Sequence, residues 1–273
     1  MKKSWKNNET GYNNTYSAGT LVYRWAFRNT YCMGGVNYMN SELHSIISES
    51  NNIVFFGGAG VSTESGIPDF RSVDGLYNKK YKYPPETILS HSFFISRTQE
   101  FYDFYREKML FLFAKPNAAH EKLALLEKNE KVKAVITQNI DGLHQKSGSK
   151  NVLELHGSVH RNYCMKCNKL YGVEVILKNR GIPKCDCGGI IKPDVVLYEE
   201  ELNYDILDKS VEYIKNADVL IVGGTSLTVY PAAGLINYYK GSKLVLINKA
   251  VTSYDKRADL VINESIGKVF TEL

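Results

Sequence analysis

Short apolar runs that close on glycine or small polar residues recur along the chain from residue 53 onward. They are Ile53–Phe56, Val132–Thr137, Val152–Leu155, Val219–Val222, Leu244–Ile247 and a shorter run, Leu260–Ile262. Helix-like periodicity lies between several of them, over Gln99–Phe113, Ala118–Lys128 and Asp205–Asn216. A near-continuous apolar run suits a strand buried on both faces, and a helical crossover is what joins parallel strands. The alternation predicts an α/β fold, a Rossmann-like parallel sheet with helices on both faces. Residues 160–192, rich in Cys, Gly, Lys and Asn, break the rhythm and read as a small inserted domain. The expected body is therefore 39–159 together with 193–273.

Residues 1–38 read differently: they hold both tryptophans, Trp5 and Trp25, and show no clear period. Two readings stay open, an extension (disordered, or covering a site or partner) and a non-native upstream stretch with the true start at Met33 or Met39. Ser41 is expected to N-cap a short amphipathic helix carrying Leu43, Ile46 and Ile47. The net charge of +5 is uneven, because five basic residues and one acid in the first 40 residues account for +4 of it. A nearly neutral body does not offer the basic face of a nucleic-acid reader. No run approaches the roughly 20 apolar residues a membrane span needs, and Lys2 and Lys3 are followed by polar sequence rather than an apolar signal core. A cytoplasmic monomer is expected.

In open α/β sheets, ligands sit beyond the carboxyl ends of the strands. Five of the runs deliver polar groups there. Gly57-Gly58-Ala59-Gly60 follows the first run and suits either close approach to a diphosphate or a tight structural turn; Asp69, Phe70 and Arg71 lie on a loop just beyond. Arg71 beside a phosphate or sugar and an Arg71–Asp69 pair are both open. Gln138, Asn139 and Asp141 follow the second run, where an amide plus a carboxylate can read a carboxamide. His144, a helical turn past Ile140, reads as packing. His156 follows the third run, and a catalytic and a structural role stand about even for it. Gly223, Thr225 and Ser226 follow the fourth, and Asn248 the fifth, where hydroxyls and an amide can meet phosphate or ribose.

Cys164-Met-Lys-Cys167 and Cys185-Asp-Cys187 can close a tetrahedral thiolate shell around Zn2+, with disulfides or free thiols as the alternatives. Four thiolates leave no open position, so the metal would be structural. The second pair has one intervening residue where two are usual.

Taken together, the strings GAGVSTESGIPDFRS, TQNIDGLH, ELHGSVH, KPDVVLYEE and GGTSLTVYPAAGL, with the paired cysteines, resemble the sirtuin family over about residues 40–273. The resemblance implies an NAD-dependent protein-lysine deacetylase that moves the acetyl group of acetyl-lysine to ADP-ribose and releases nicotinamide. It implies His156 as general base, Asn139 and Asp141 on the carboxamide, and Phe70 and Ile140 as walls. Gly58, Ala59, Gly60, Thr63, Asp69, Arg71, Gln138, Gly223, Thr225, Ser226, Asn248 and Ile266 would line the rest of the NAD site. A substrate peptide would add as a strand at Val195–Val196. Gly57 stands where many members have Thr, and Glu199 where many have Gly, which puts the docking loop's shape in question. Members that remove succinyl or malonyl groups carry Tyr and Arg three residues apart; here Tyr105 follows Tyr102 and Arg106 comes one residue later, about 100° round a helix, so an uncharged acyl group is expected. Protein mono-ADP-ribosylation is the alternative chemistry; a zinc-bearing binding module and a dehydrogenase are weaker ones.

Overall fold

The computed structural model describes residues 35–72, 75–178 and 180–273, with side chains from Asn40 onward. Trp5, Trp25, Cys32 and nearly all of the expected 1–38 extension lie outside the described residues.

All six apolar runs are strands, β1 (Ile53–Gly57), β2 (Val132–Thr137), β3 (Val152–Glu154), β7 (Val219–Gly223), β8 (Lys243–Ile247) and β9 (Leu260–Ile262). They form one parallel sheet in the order β3-β2-β1-β7-β8-β9. Strand order reverses between β1 and β7, the place where such sheets leave a crevice. A second sheet is antiparallel, β5-β4-β6, built from β4 (Gly157–Cys164), β5 (Leu170–Tyr171) and β6 (Ile191–Val195). It occupies the segment that breaks the rhythm and reaches a few residues past it at either end.

The helices are α1 (Gly35–Glu49), α2 (Pro85–Ile88), α3 (His91–Ser96), α4 (Thr98–Lys108), α5 (Ala118–Lys128), α6 (Leu143–Lys146), α7 (Glu174–Lys178), α8 (Tyr204–Asn216) and α9 (Ile266–Thr271). Because successive strand residues face opposite ways, Ile53 and Phe55 join one core layer with Leu43, Leu123 and Phe270, while Val54 and Phe56 join another with Ile214 and Ile236. Helices thus cover both faces. A third, aromatic cluster joins Phe94, Phe101, Tyr102 and Tyr105 to Val159, Cys164 and Ile191 of the antiparallel sheet. Among the described residues no helix is long and apolar enough to cross a membrane.

Caps set several boundaries. Asn117 accepts the Ala119 N–H at 3.0 Å and starts α5, and Asn203 accepts the Ile206 N–H at 3.1 Å and starts α8. Two expectations fail. Ser41 lies inside α1 and does not cap it; the spacing of Leu43, Ile46 and Ile47 marks only the buried part of a longer helix. The helix expected over Gln99–Phe113 ends at Lys108, and Phe113 stands 97% exposed in the following loop. Met109, Leu110 and Leu112 are half-buried against the aromatic cluster from backbone past the end of α4, so their apolar run needs no helix.

Candidate active site

The fold carries the polar strand ends into one crevice. The two glycine turns after β1 and β7 touch through their backbones: Gly60 N–H donates to the Gly224 carbonyl at 2.8 Å, and Gly58 N–H to the Gly223 carbonyl at 3.2 Å. A Cβ on Gly60 would lie 2.8 Å from Gly224 Cα, and one on Gly224 would lie 2.4 Å from the Val61 nitrogen, at a φ of +59°. Glycine is demanded here by turn-against-turn contact.

Around this floor the side chains form a chain of hydrogen bonds. Gln138 Nε2 donates to Thr225 Oγ1 at 3.1 Å, and Asn248 Nδ2 donates to the Thr225 carbonyl at 3.0 Å, so the ends of β2, β7 and β8 are tied together. Thr63 Oγ1 donates to the Gly60 carbonyl at 3.0 Å, and Ser226 lies exposed, its hydroxyl 2.9 Å from that of Thr228. Asn139 is buried and donates to Ser62 Oγ at 3.1 Å; that hydroxyl donates to Asp141 Oδ2 at 2.6 Å. Asp141 Oδ1 accepts the Leu143 N–H at 2.9 Å. Asn139 keeps its amide oxygen and one N–H for a ligand beside a carboxylate, which matches a carboxamide's donors and acceptor.

His156 sits half-buried at the crevice edge. Its Nδ1 lies 2.9 Å from the Gln138 carbonyl, which only accepts, so Nδ1 carries the proton and Nε2 keeps a lone pair. Burial holds the imidazole below its ordinary pKa, against the Gln138 bond, which raises it. The ring is therefore neutral near pH 7 and equipped to accept a proton.

Phe70 and Ile140 are half-buried and pack against the aromatic cluster from one side of the crevice. Asp69 accepts the Ser72 N–H at 2.9 Å, and Arg71 lies over the Tyr77 ring at 5.3 Å, so each is engaged away from the other. The Tyr77 hydroxyl meets that of Tyr198 at 2.6 Å, joining this loop to the segment after β6. Ile266 is only 2% exposed, and its side chain lies in the core beneath Gly223. Val195 pairs with Gly157, and Val196 N–H donates to the His156 carbonyl at 3.0 Å, which leaves β6 at the edge of its sheet.

Two residues of the crevice carried no role in the sequence. Ser62 is 1% exposed and joins Asn139 to Asp141. His120 of α5 lies 3.5 Å from Ser62 Oγ, and its ring lies 4.7 Å from that of His144, tilted by 57°. Burial lowers His120 to about 4 and His144 to about 3. His144 has no hydrogen-bond partner on either ring nitrogen among the described residues, in keeping with its reading as packing. A helix-periodic position gives no hint that its side chain meets a loop 58 residues away.

The four cysteines converge. All four Sγ atoms lie within 4.8 Å of one another, with Cys164–Cys187 at 3.4 Å and Cys167–Cys185 at 3.6 Å. A disulfide needs about 2.05 Å, whereas a zinc tetrahedron with bonds of roughly 2.3 Å has edges of roughly 3.8 Å. The residues fit zinc. Cys185 N–H donates to the Gly189 carbonyl at 2.8 Å, so the shortened pair still closes its turn. The Tyr171 hydroxyl donates to Cys185 Sγ at 3.0 Å and pulls that thiol down to about 6.

Tyr102 and Tyr105 are fully buried, and Tyr102 donates to the Ile191 carbonyl. Arg106 donates to the carbonyls of Ile176 at 2.7 Å, Arg180 at 3.1 Å and Gly181. All three are committed to packing the module against α4.

The Sir2 family model matches residues 58–231. An NAD-dependent protein deacetylase of Clostridium acetobutylicum is 65% identical over 233 residues, 84% of this chain and 95% of that protein. One of Staphylococcus epidermidis is 45% identical over 85% of this chain and 95% of its own length. Among solved structures, a Sir2–p53 peptide–NAD+ complex superposes with a TM-score of 0.76 at 42% identity, covering 84% of this chain and 95% of that one. A Sir2 bound to acetylated peptide gives 0.75 at 40% identity, covering 85% and 95%. Glycine turns, strand-end amides and a thiol knuckle that converge in this order, matched over most of the chain, place it in the Sir2 family.

Proposed function

We infer that this chain is an NAD-dependent protein-lysine deacetylase, and that the crevice residues divide its work as follows. NAD, when bound, would supply a ribose carbon that the acetyl oxygen of the substrate can attack, with the bond to nicotinamide breaking and nicotinamide leaving. Asn139 and Asp141 hold the carboxamide, with Ser62 fixing both. Phe70 and Ile140 exclude water from the reacting face. Gly58, Ala59, Gly60, Thr63, Asp69, Arg71, Gln138, Gly223, Thr225, Ser226, Asn248 and the backbone of Ile266 line the remaining dinucleotide site. His156, through the bare Nε2, takes a proton from a ribose hydroxyl. Zn2+ bound by Cys164, Cys167, Cys185 and Cys187 holds the module together and takes no part in the chemistry.

The peptide adds its main chain at Val195–Val196, beside His156. Acetyl is the favoured acyl group, because Arg106 is engaged by three carbonyls and offers no carboxylate partner. The proposal takes 39–159 with 193–273 as the NAD-binding body and 160–192 as the zinc insert, working as a cytoplasmic monomer, where thiols stay reduced.

The observation that carries the reading is the 2.9 Å contact of His156 Nδ1 with the Gln138 carbonyl, which leaves Nε2 its lone pair. The experiment is incubation with NAD and an acetyl-lysine peptide. Nicotinamide release that needs both, with acetyl-ADP-ribose and free lysine as products, is expected. His156→Ala should lower kcat by about 10²- to 10⁴-fold. ADP-ribosylated protein as the main product would instead establish the mono-ADP-ribosyltransferase alternative.

A further inference from the structure

Glu199 has a backbone φ of +74°, in the left-handed region that glycine takes without strain. Its carboxylate grips one residue. Oε2 accepts the Ser92 N–H at 2.9 Å, and Oε1 accepts the Ser92 hydroxyl at 3.0 Å. The neighbours are tied to the same stretch. Tyr198 N–H donates to the Leu89 carbonyl at 3.0 Å, and the Tyr198 carbonyl accepts from His91 N–H at 3.0 Å. Glu200 Oε1 meets His91 Nδ1 at 2.8 Å, while its Oε2 accepts from Leu197 N–H at 2.9 Å and Lys192 Nζ at 3.0 Å. The turn 197–200 is thus held to residues 89–92, directly after the Val195–Val196 edge.

We propose that Glu199 is a positioning residue for peptide docking. Its grip on Ser92 holds the turn in a shape that glycine takes without help, and so keeps the adjoining strand edge formed before the peptide arrives. This rests on the reading of Val195–Val196 as the docking edge. An edge already ordered saves the peptide part of the ordering cost of binding. The side-chain bonds of Glu199 go to Ser92, so the effect is read in peptide KM at saturating NAD.

The test is steady-state deacetylation by the full chain, with NAD saturating and an acetyl-lysine peptide varied. Glu199→Ala has neither the grip nor glycine's freedom, so the turn relaxes out of its left-handed shape, and peptide KM should rise about five- to tenfold, the scale of one left-handed backbone penalty. Glu199→Gly should recover at least half of that loss. Ser92→Ala should raise peptide KM in the native background and have no effect in the Glu199→Gly background; this pair decides the matter if Glu199→Ala does not fold. A Glu199→Ala value within twofold of wild type, a Glu199→Gly value no better than alanine, or equal Ser92→Ala effects in both backgrounds would overturn the proposal alone. A wild-type protein whose rate does not saturate with peptide would overturn the docking reading and the proposal with it.

Discussion

The crevice floor and the cysteine module are both made of tight turns, yet they are held in opposite ways. Under the crevice, two core layers fix β1 and β7, and the turns above them need only be small enough to touch, as Gly60 and Gly224 do. In the module, β5 is two residues long and the strands share one aromatic cluster with α4. There the four sulfurs must supply what burial does not. Where apolar area is plentiful, the sequence spends its special residues on shape; where it is scarce, it spends them on crosslinking.

Removing the metal strains this contrast most. Structural zinc contributes on the order of 10 kcal/mol to such a site. A chelator, or Cys164→Ala, should cost residues 160–192 their amide-exchange protection while β1, β2 and β7 keep theirs. Protection that persists in the metal-free module would break the comparison.

Gly224→Ala probes the other side. The added methyl meets the Val61 nitrogen at 2.4 Å in a left-handed backbone. It should destabilise by about 2–4 kcal/mol and weaken NAD binding, read by denaturant unfolding and calorimetry. Unchanged stability would mean the turns do not need their contact.

Counted per pH unit, the smallest effect comes from two buried histidines. His120 and His144 are held neutral by burial, at about 4 and about 3, against an unfolded value of 6.5. Below 6.5 the unfolded chain binds more protons than the fold, so stability falls as pH drops from 6.5 toward 4, by about 1.4 kcal/mol per unit for each fully depressed histidine. His144→Phe should remove one such slope, so its stability relative to wild type should rise as pH falls. A constant gap between the two melting curves would show that the buried ring carries no proton linkage.

The strands were legible because a strand buried on both faces writes itself as an unbroken apolar run. Helical periodicity made α5 readable from Ala118 to Lys128. The start of α1 and the exposed Phe113 were not, since apolar spacing reports which residues could be buried and not which are. In the crevice, residues at strand ends were legible one by one, since topology alone sends those ends to a common rim. Ser62 and His120 were not, because the link between them exists only after α5 packs against the β1 turn. Asp69 and Arg71 sit two residues apart in sequence, but Asp69 accepts the Ser72 N–H and Arg71 lies over the Tyr77 ring.

The hydroxyl pair of Tyr77 and Tyr198 spans the loop that carries Phe70 and Arg71 and the turn that follows β6. Any free energy that passes across it is symmetrical by thermodynamic necessity: the factor by which occupancy of the nucleotide side tightens the polypeptide side must equal the factor in the reverse direction. Two phenols would then act as a shared hinge pin through which each co-substrate reports its arrival to the other.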